Sequence, residues 1–361
     1  MKKQLAILSI CVCMLLLALT GCGEGTGSIN SSNAASSSPS VSLLKISDYF
    51  PFEENVYMKY AGEGNEYATF DTYVEFIKGD RIQKRTDNGG TVTSRVYENK
   101  NGQLKIITSQ AEHYYREDIT ASAETDGSII LKEPIAKGTT WISGTTKYTI
   151  TAVDMPIQTT AGNYNSIEVT SESNMGASNQ SVTKDYYSRG IGLVKTVATG
   201  NNYEVSSQLT IRETNKPFIQ RIKFFYPYTT AKEIKTGSKE IDVSFTTNEE
   251  LKDAFNIQLQ KTLDSQTSPV LSKNAHINSI VFEKVKKVIN ADVSKEFVTE
   301  MNAGSSLESQ IIRSAANTLC NYFGADGAYI TLDGKPYESG HYKLNAGETF
   351  KPDYTNIVTL P

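Results

Sequence analysis

The sequence predicts an α+β protein: a curved antiparallel β-sheet or barrel-like domain, followed by a small α/β domain. Three observations carry this. Residues 67–77, 145–153, 166–170 and 203–211 alternate with a period of two and are rich in β-branched and aromatic side chains, as half-buried strands are. Asp87-Asn88-Gly89-Gly90 and Asn99-Lys100-Asn101-Gly102 stand between such runs, and Asn-Gly supplies the positive φ that tight hairpins need. Beyond residue 216, helical spacing mixes with strands. At 361 residues the chain is long enough for two cores. The expected division is a leader at 1–21, a tether at 22–43, a β-rich domain at 44–215 and an α/β domain at 216–361.

Lys2 and Lys3 precede an apolar run from Leu5 to Leu19 that only Ser9 interrupts. This is the layout of a secretory signal peptide, and the run is shorter than the roughly 20 residues of a membrane span. Leu19-Thr20-Gly21-Cys22 resembles a bacterial lipobox, which implies cleavage before Cys22 and a diacylglyceryl group on its thiol. Cys22 is then the lipid-attachment residue, and the protein sits on the extracytoplasmic face of the cell membrane. Cys11 and Cys13 leave with the leader, so only Cys320 remains and no intramolecular disulfide forms, which fits a Gram-positive surface. One acyl chain holds marginally, and two or three on Cys22 make release slow. The Gly/Ser/Asn-rich stretch that follows is expected to be a flexible coil with a reach of about 25 Å.

In the β-rich domain, Asp48-Tyr49-Phe50-Pro51, Gly138-Thr139-Thr140-Trp141, Thr160-Ala161-Gly162-Asn163-Tyr164 and Tyr187 to Val194 resemble a module of uncharacterised lipoproteins from endospore-forming bacteria. The resemblance implies no activity. Tyr114-Tyr115 and Tyr186-Tyr187 suggest carbohydrate stacking, but strand neighbours point to opposite faces, so one of each pair is expected in the core. Trp141 is expected to be a core anchor. Gly190-x-Gly192 lacks the third glycine and the helix of a nucleotide loop.

In the second domain, residues 221–227 read as a strand stopped by Pro227, and 239–245 as another. Thr247-x-x-Glu250 and Ser305-x-x-Glu308 have the form of capping boxes. Leu251, Ala254, Phe255, Gln258 and Leu259 follow the first at helical spacing, continued by Leu263. Leu307, Ile311, Ala315, Thr318/Leu319 and Tyr322 follow the second, with Gly324 as the stop. Residues 277–282 and 288–293 read as a hairpin whose tip carries Lys284, Lys286 and Lys287, either solvated or touching anionic headgroups or wall polymers. Residues 329–334 form a closing strand and turn, and Cys320 is read as a small semi-buried apolar residue. The order of Phe224-Phe225-Tyr226-Pro227, the 250–263 helix, Ile277 to Ile280, Ala291 to Phe297, Gly304-Ser305-x-x-Glu308, Thr318-Leu319 and Ile330-x-Leu332-Asp333-Gly334 resembles a GerMN domain. That resemblance implies a cell-envelope domain of sporulation or spore germination that acts by binding partners, and it brings no catalytic residue.

Composition excludes other classes. Net charge is −4, or −6 once Lys2 and Lys3 leave, and no basic cluster is available for nucleic acid. There is no Gly-x-Ser-x-Gly elbow, no His-Glu-x-x-His and no phosphate-binding Gly-Lys-Ser/Thr loop, and His113, His276 and His341 have no partners at metal spacing. The expectation is a lipid-anchored binding or assembly factor, not an enzyme, without catalytic residues, metal or cofactor. Its expected partners are envelope or sporulation proteins and peptidoglycan. The alternatives are a ligand-binding lipoprotein with an apolar or glycan ligand in the β-domain and, less favoured, a wall-glycan hydrolase using a carboxylate pair.

Overall fold

Short turns with left-handed residues set the connectivity of the first half. Asn101 and Gly102 take φ of 53° and 68°, and Gly89 takes 78°, so each chain reversal returns a strand to its neighbour. The computed structural model describes residues 43–174 and 180–361, and the described chain from Leu43 onward folds as one unit. Cys22, the leader and nearly all of the tether lie outside the described residues.

After the single turn α1 (Ile46–Tyr49), twelve strands form one sheet: β1 (Tyr57–Glu63), β2 (Phe70–Lys78), β3 (Arg81–Asp87), β4 (Val92–Lys100), β5 (Gln103–Ala111), β6 (Ile129–Lys132), β7 (Thr140–Ser143), β8 (Thr146–Thr159), β9 (Gly162–Asn174), β10 (Gln180–Ser188), β11 (Gly192–Gly200) and β12 (Tyr203–Glu213). Their spatial order is β6-β5-β4-β3-β2-β1-β12-β11-β10-β9-β8-β7, every pairing antiparallel. The two edges, β6 and β7, come together, and side chains bridge them. The Ile129 N–H donates to Ser143 Oγ at 2.8 Å and the Trp141 Nε1–H donates to the Ile129 carbonyl at 2.8 Å. The sheet is therefore a nearly closed barrel. Its interior is filled by Met58, Tyr60, Val74, Ile82, Leu104, Leu131, Trp141, Ile150, Ile167, Tyr187, Val194 and Leu209, with Ile46, Tyr49 and Phe50 packed against them.

The second half begins with the hairpin β13 (Phe218–Thr229) and β14 (Ile234–Phe245), joined by the short parallel strand β19 (Val358–Thr359). Helix α2 (Leu251–Leu259) follows. A four-stranded sheet then forms from β15 (Ile277–Glu283), β16 (Val288–Val293), β17 (Gly327–Leu332) and β18 (Lys335–Pro336), with the single turn α3 (Glu296–Thr299) and helix α4 (Ser305–Phe323) between β16 and β17. The core joins Phe224, Tyr226, Phe245, Phe255, Leu259, Ile289, Phe297, Ile311, Leu319 and Ile330. The predicted stripes of both helices face it, except that α2 ends at Leu259, short of the expected 263, so Leu263 packs on the core from the loop beyond. Gly324 ends α4 at φ 67°, its N–H returning to the Cys320 carbonyl. The predicted 277–282/288–293 hairpin forms, with Lys287 at φ 52° supplying the left-handed turn residue that the sequence does not advertise with a glycine.

Several expectations are corrected. Residues 66–68 make a 3-10 turn before β2, which starts at Phe70. Pro227 does not stop its strand: β13 is an edge strand, where a missing donor is tolerated, and it continues to Thr229. Tyr186 and Tyr187 are both buried, at 7% and 5% exposure, because a register shift against β11 falls between them and breaks the alternation. Tyr114 and Tyr115 lie past the end of β5, with only Tyr115 buried. Neither capping box forms: α2 is preceded by Glu250 and α4 by Gly304, and neither residue caps with its side chain. Thr247 and Glu308 make tertiary contacts in place of those caps.

Candidate functional site

Strands β2, β3 and β4 carry an apolar face toward the barrel interior and a polar face outward, as a two-residue period requires. On the outer face Glu75 is fully buried. Its carboxylate accepts from Gln83 Nε2 at 2.8 Å, Ser94 Oγ at 3.1 Å and Arg85 Nη1 at 3.3 Å. The segment between β5 and β6 covers this face, bringing in His113, whose ring nitrogens contact Ser94 Oγ at 2.9 Å and Glu117 Oε2 at 3.2 Å.

Arg116 sits at the centre of the junction with the second half and is 1% exposed. Its Nε donates to the Glu249 carbonyl at 2.8 Å, and its Nη2 to the carbonyls of Thr246 at 2.9 Å and Glu75 at 3.1 Å. The guanidinium lies over the rings of Phe76 and Phe245, with centroids at 4.5 and 4.9 Å. Its own backbone N–H donates to Tyr322 Oη at 2.8 Å, and that hydroxyl donates to Gln220. Burial pulls the Arg116 pKa below the usual arginine range, with Glu75 opposing. A planar cation with a fixed fork of donors suits three carbonyls better than an ammonium could.

Around Arg116 the junction is stitched further. Thr247 Oγ accepts from the Asn55 N–H at 2.8 Å and donates to the Val74 carbonyl at 2.7 Å. Asn248 Oδ1 accepts from the Ile77 N–H at 2.8 Å. Tyr115 meets Phe282 edge-on at 5.5 Å and Phe323 at 5.1 Å. Lys284, expected on a solvated tip, lies over the Tyr115 ring at 5.4 Å, and its Nζ donates to Gln110. Only the Lys284 side chain reaches the β-rich half, where Glu117 also lies 3.8 Å from its ammonium; Val285, Lys286 and Lys287 stay exposed as the solvated tip. Lys286 pairs with Glu283 at 2.7 Å. Beside Arg116 a cavity of about 330 Å³ is lined by Glu117, Asp118, Glu250, Lys252 and residues 278–282 of β15.

In the second half Glu308 is buried on α4. It accepts from the Tyr337 hydroxyl at 2.8 Å and meets His341 Nδ1. Burial raises its pKa, but hydrogen bonds from Ser339, His341 and Tyr337 together outweigh it and hold the carboxyl below the usual range. Thr318 Oγ, also on α4, accepts from the Phe225 N–H at 3.0 Å, satisfying a donor on the edge of β13. Cys320 is 1% exposed, and burial pushes its thiol up to about 12.

This arrangement of β-hairpin, helix, β-hairpin, long helix and closing strand runs through the residues on which a family model matches the chain: 223–338, described as Germane, sporulation and spore germination. Residues 223–338 form a Germane domain. The GerMN resemblance read from the order of motifs is thereby borne out. No curated protein matches the chain. Among solved structures, a Bacteroides fragilis protein described as exported, with a YmcC-like fold, is 10% identical, covering 46% of this chain and 99% of its own at a TM-score of 0.31. Structures described as lipoproteins come from Clostridium perfringens, at 16% identity, 36% and 87% coverage and a TM-score of 0.24, and from Parabacteroides distasonis, at 14%, 46% and 98%, and 0.27.

The three histidines stay apart, and among the described residues no group of three His, Cys, Asp or Glu could hold a metal ion. No helix among them is long and apolar enough to cross a membrane. The residues that hold the Germane domain to the barrel, above all Arg116, were missed from sequence. An arginine in the polar run Glu112 to Asp118 carries the same local signal as a solvated one.

Proposed function

We propose that the protein is an extracytoplasmic lipoprotein, held by Cys22 in the cell membrane, that acts as a binding or assembly factor in sporulation or spore germination and not as an enzyme. The Germane match over 223–338 is the observation that carries this reading. The lipobox-like Leu19-Thr20-Gly21-Cys22 supports the address.

The junction gives the proposal a physical form. A Germane domain bonded to the barrel through Arg116, Thr247 and Asn248 presents its surface in a fixed relation to the barrel. A tether of about 25 Å reach then raises the effective concentration of that surface toward a co-anchored partner, so weak contacts suffice. Envelope proteins of the sporulating cell and peptidoglycan are the partner classes this arrangement fits.

Deletion is expected to impair spore formation or germination, and Cys22→Ala to reproduce the defect while both halves stay folded. Full activity from the released Cys22→Ala protein would sink the anchoring part. A deletion strain that sporulates and germinates normally would sink the role. Muropeptide release from purified wall by the protein would overturn the non-enzymatic part.

A further inference from the structure

The interior face of β1–β4 is not sealed at one end. A cavity of about 250 Å³ opens there, lined by Phe50, Met58, Tyr60, Phe70, Lys84 and Tyr97, with Tyr67, Thr72, Thr86, Asn88, Arg95 and Leu193 completing it. Its walls are two aromatic pairs: Tyr60 stacks on Phe70 at 4.4 Å, and Phe50 meets Tyr97 at 5.1 Å. The Tyr60 hydroxyl is already spent on the Leu193 carbonyl at 2.8 Å, which leaves its ring face to the cavity. Tyr67 rests against Gly90 so closely that a Cβ there would lie 2.5 Å from its ring. The 3-10 turn and the β3–β4 hairpin thus frame the opening.

Lys84 is the unusual member. Its Nζ lies 4.3 Å from the Phe50 centroid, and among the described residues no hydrogen bond or ion pair engages it. The lining holds two cations, Lys84 and Arg95, and no carboxylate. The charged and titratable groups around Lys84 are Tyr60 from β1, Arg95 and Tyr97 from β4, Arg212 from β12, Tyr67 at the opening and Glu53 before β1. Glu53 is engaged by Arg212 and Arg95 by Ser109. Burial, aided by Arg212, lowers the Lys84 pKa to about 8. An aromatic cavity with an unpaired ammonium and no acid is complementary to an apolar group that ends in an anion. Pockets for drug-sized ligands start near about 300 Å³, so a cavity of this size limits the occupant to a small molecule or a short chain.

We propose that the barrel mouth is a binding site for a small anionic amphiphile, an apolar tail ending in a carboxylate or phosphate, with Lys84 as its counter-ion. This site is independent of the Germane domain's role and would survive the failure of that reading. The bound headgroup supplies the acceptor that the protein itself withholds from Lys84.

The test is calorimetric titration of residues 23–361, which lack the apolar leader and Cys22 and keep the whole folded unit from Leu43 onward, against octanoate, octyl phosphate, octanol and octyltrimethylammonium. Octanoate or octyl phosphate is expected to bind at least tenfold more tightly than octanol, and the cation not at all. The preferred anion identifies the headgroup. Lys84→Met is expected to lower anion affinity at least tenfold and leave octanol unchanged. Thr72→Phe, which fills the cavity and keeps the lysine, is expected to abolish binding of both. Anion affinity should fall above pH 8, by up to about tenfold per pH unit, as the free protein loses the Lys84 proton. Equal affinity for octanol and octanoate, an unaffected Lys84→Met variant, or no binding of either anion at millimolar concentration would each overturn the proposal.

Discussion

Arg116, buried against the outer face of β2–β4, and Lys84, half-buried on their inner face, are cations that the protein treats in opposite ways. Arg116 has three carbonyl acceptors and two ring faces, and the two halves of the molecule meet around it. Lys84 has one ring and no acceptor. Loss of water costs both of them and lowers the pKa of each. Hydrogen bonds inside the fold compensate the first, so its charge serves structure. The second has no such compensation, and a site that carries an unrelieved cost is suited to a ligand that relieves it. The partners of a buried charge, more than its burial, tell these roles apart.

Breaking the arginine side should have the largest effect. Arg116→Met leaves three carbonyls without their donor and is expected to cost about 3–5 kcal/mol in urea unfolding, with the single transition separating into two as the halves uncouple. Arg116→Lys should recover little, since an ammonium cannot span the same three acceptors. An unchanged single transition would put the junction's strength elsewhere.

The lysine side should move the other way. Lys84→Met is expected to stabilise the ligand-free protein by about 1–3 kcal/mol at pH 7. The folded pKa, about 8, lies below the ordinary lysine value of 10.5. Between them the unfolded chain holds more protons, so wild-type stability should rise from pH 8 to 10.5 and then level off. That rise should vanish in Lys84→Met, and urea midpoints at pH 7, 9 and 10.5 read it directly. A destabilised Lys84→Met variant with the wild-type pH profile would erase the contrast with Arg116.

Smaller effects sharpen the same contrast. Thr247→Val is expected to cost about 1–2 kcal/mol, because the Asn55 N–H loses an acceptor and the Val74 carbonyl a donor. Cys320 should show almost nothing. With its thiol pushed up to about 12 by burial, it should resist a thiol reagent at pH 8 in the native protein and react fully in denaturant.

Much of the fold was legible because local chemistry and the final structure agree. The period-two runs became β2, β8, β9 and β12, the Asn-Gly turns became hairpins, and Gly324 ended α4. Legibility failed where tertiary contacts claimed side chains whose local use was plausible. Thr247 and Glu308 sit in capping-box spacing, yet one ties the junction and the other holds Tyr337 and His341. Lys84 alternates correctly onto the interior face of β3, but a lysine in a strand ordinarily reads as the exposed half of the pattern. Its strand partners are Val74 and Arg95, and the ring it meets, Phe50, arrives from the end of α1, a tertiary contact that one sequence does not display.

The barrel's closure has an optical consequence. The chain has a single tryptophan, Trp141, and it sits at the seam with its indole N–H on the Ile129 carbonyl and its ring stacked on Tyr148 at 5.3 Å. Intrinsic indole emission therefore comes from one place only, the line where β6 meets β7. Any opening of that line would wet the indole and shift its spectrum to the red, so the protein carries its own unlabelled gauge of whether the barrel is shut.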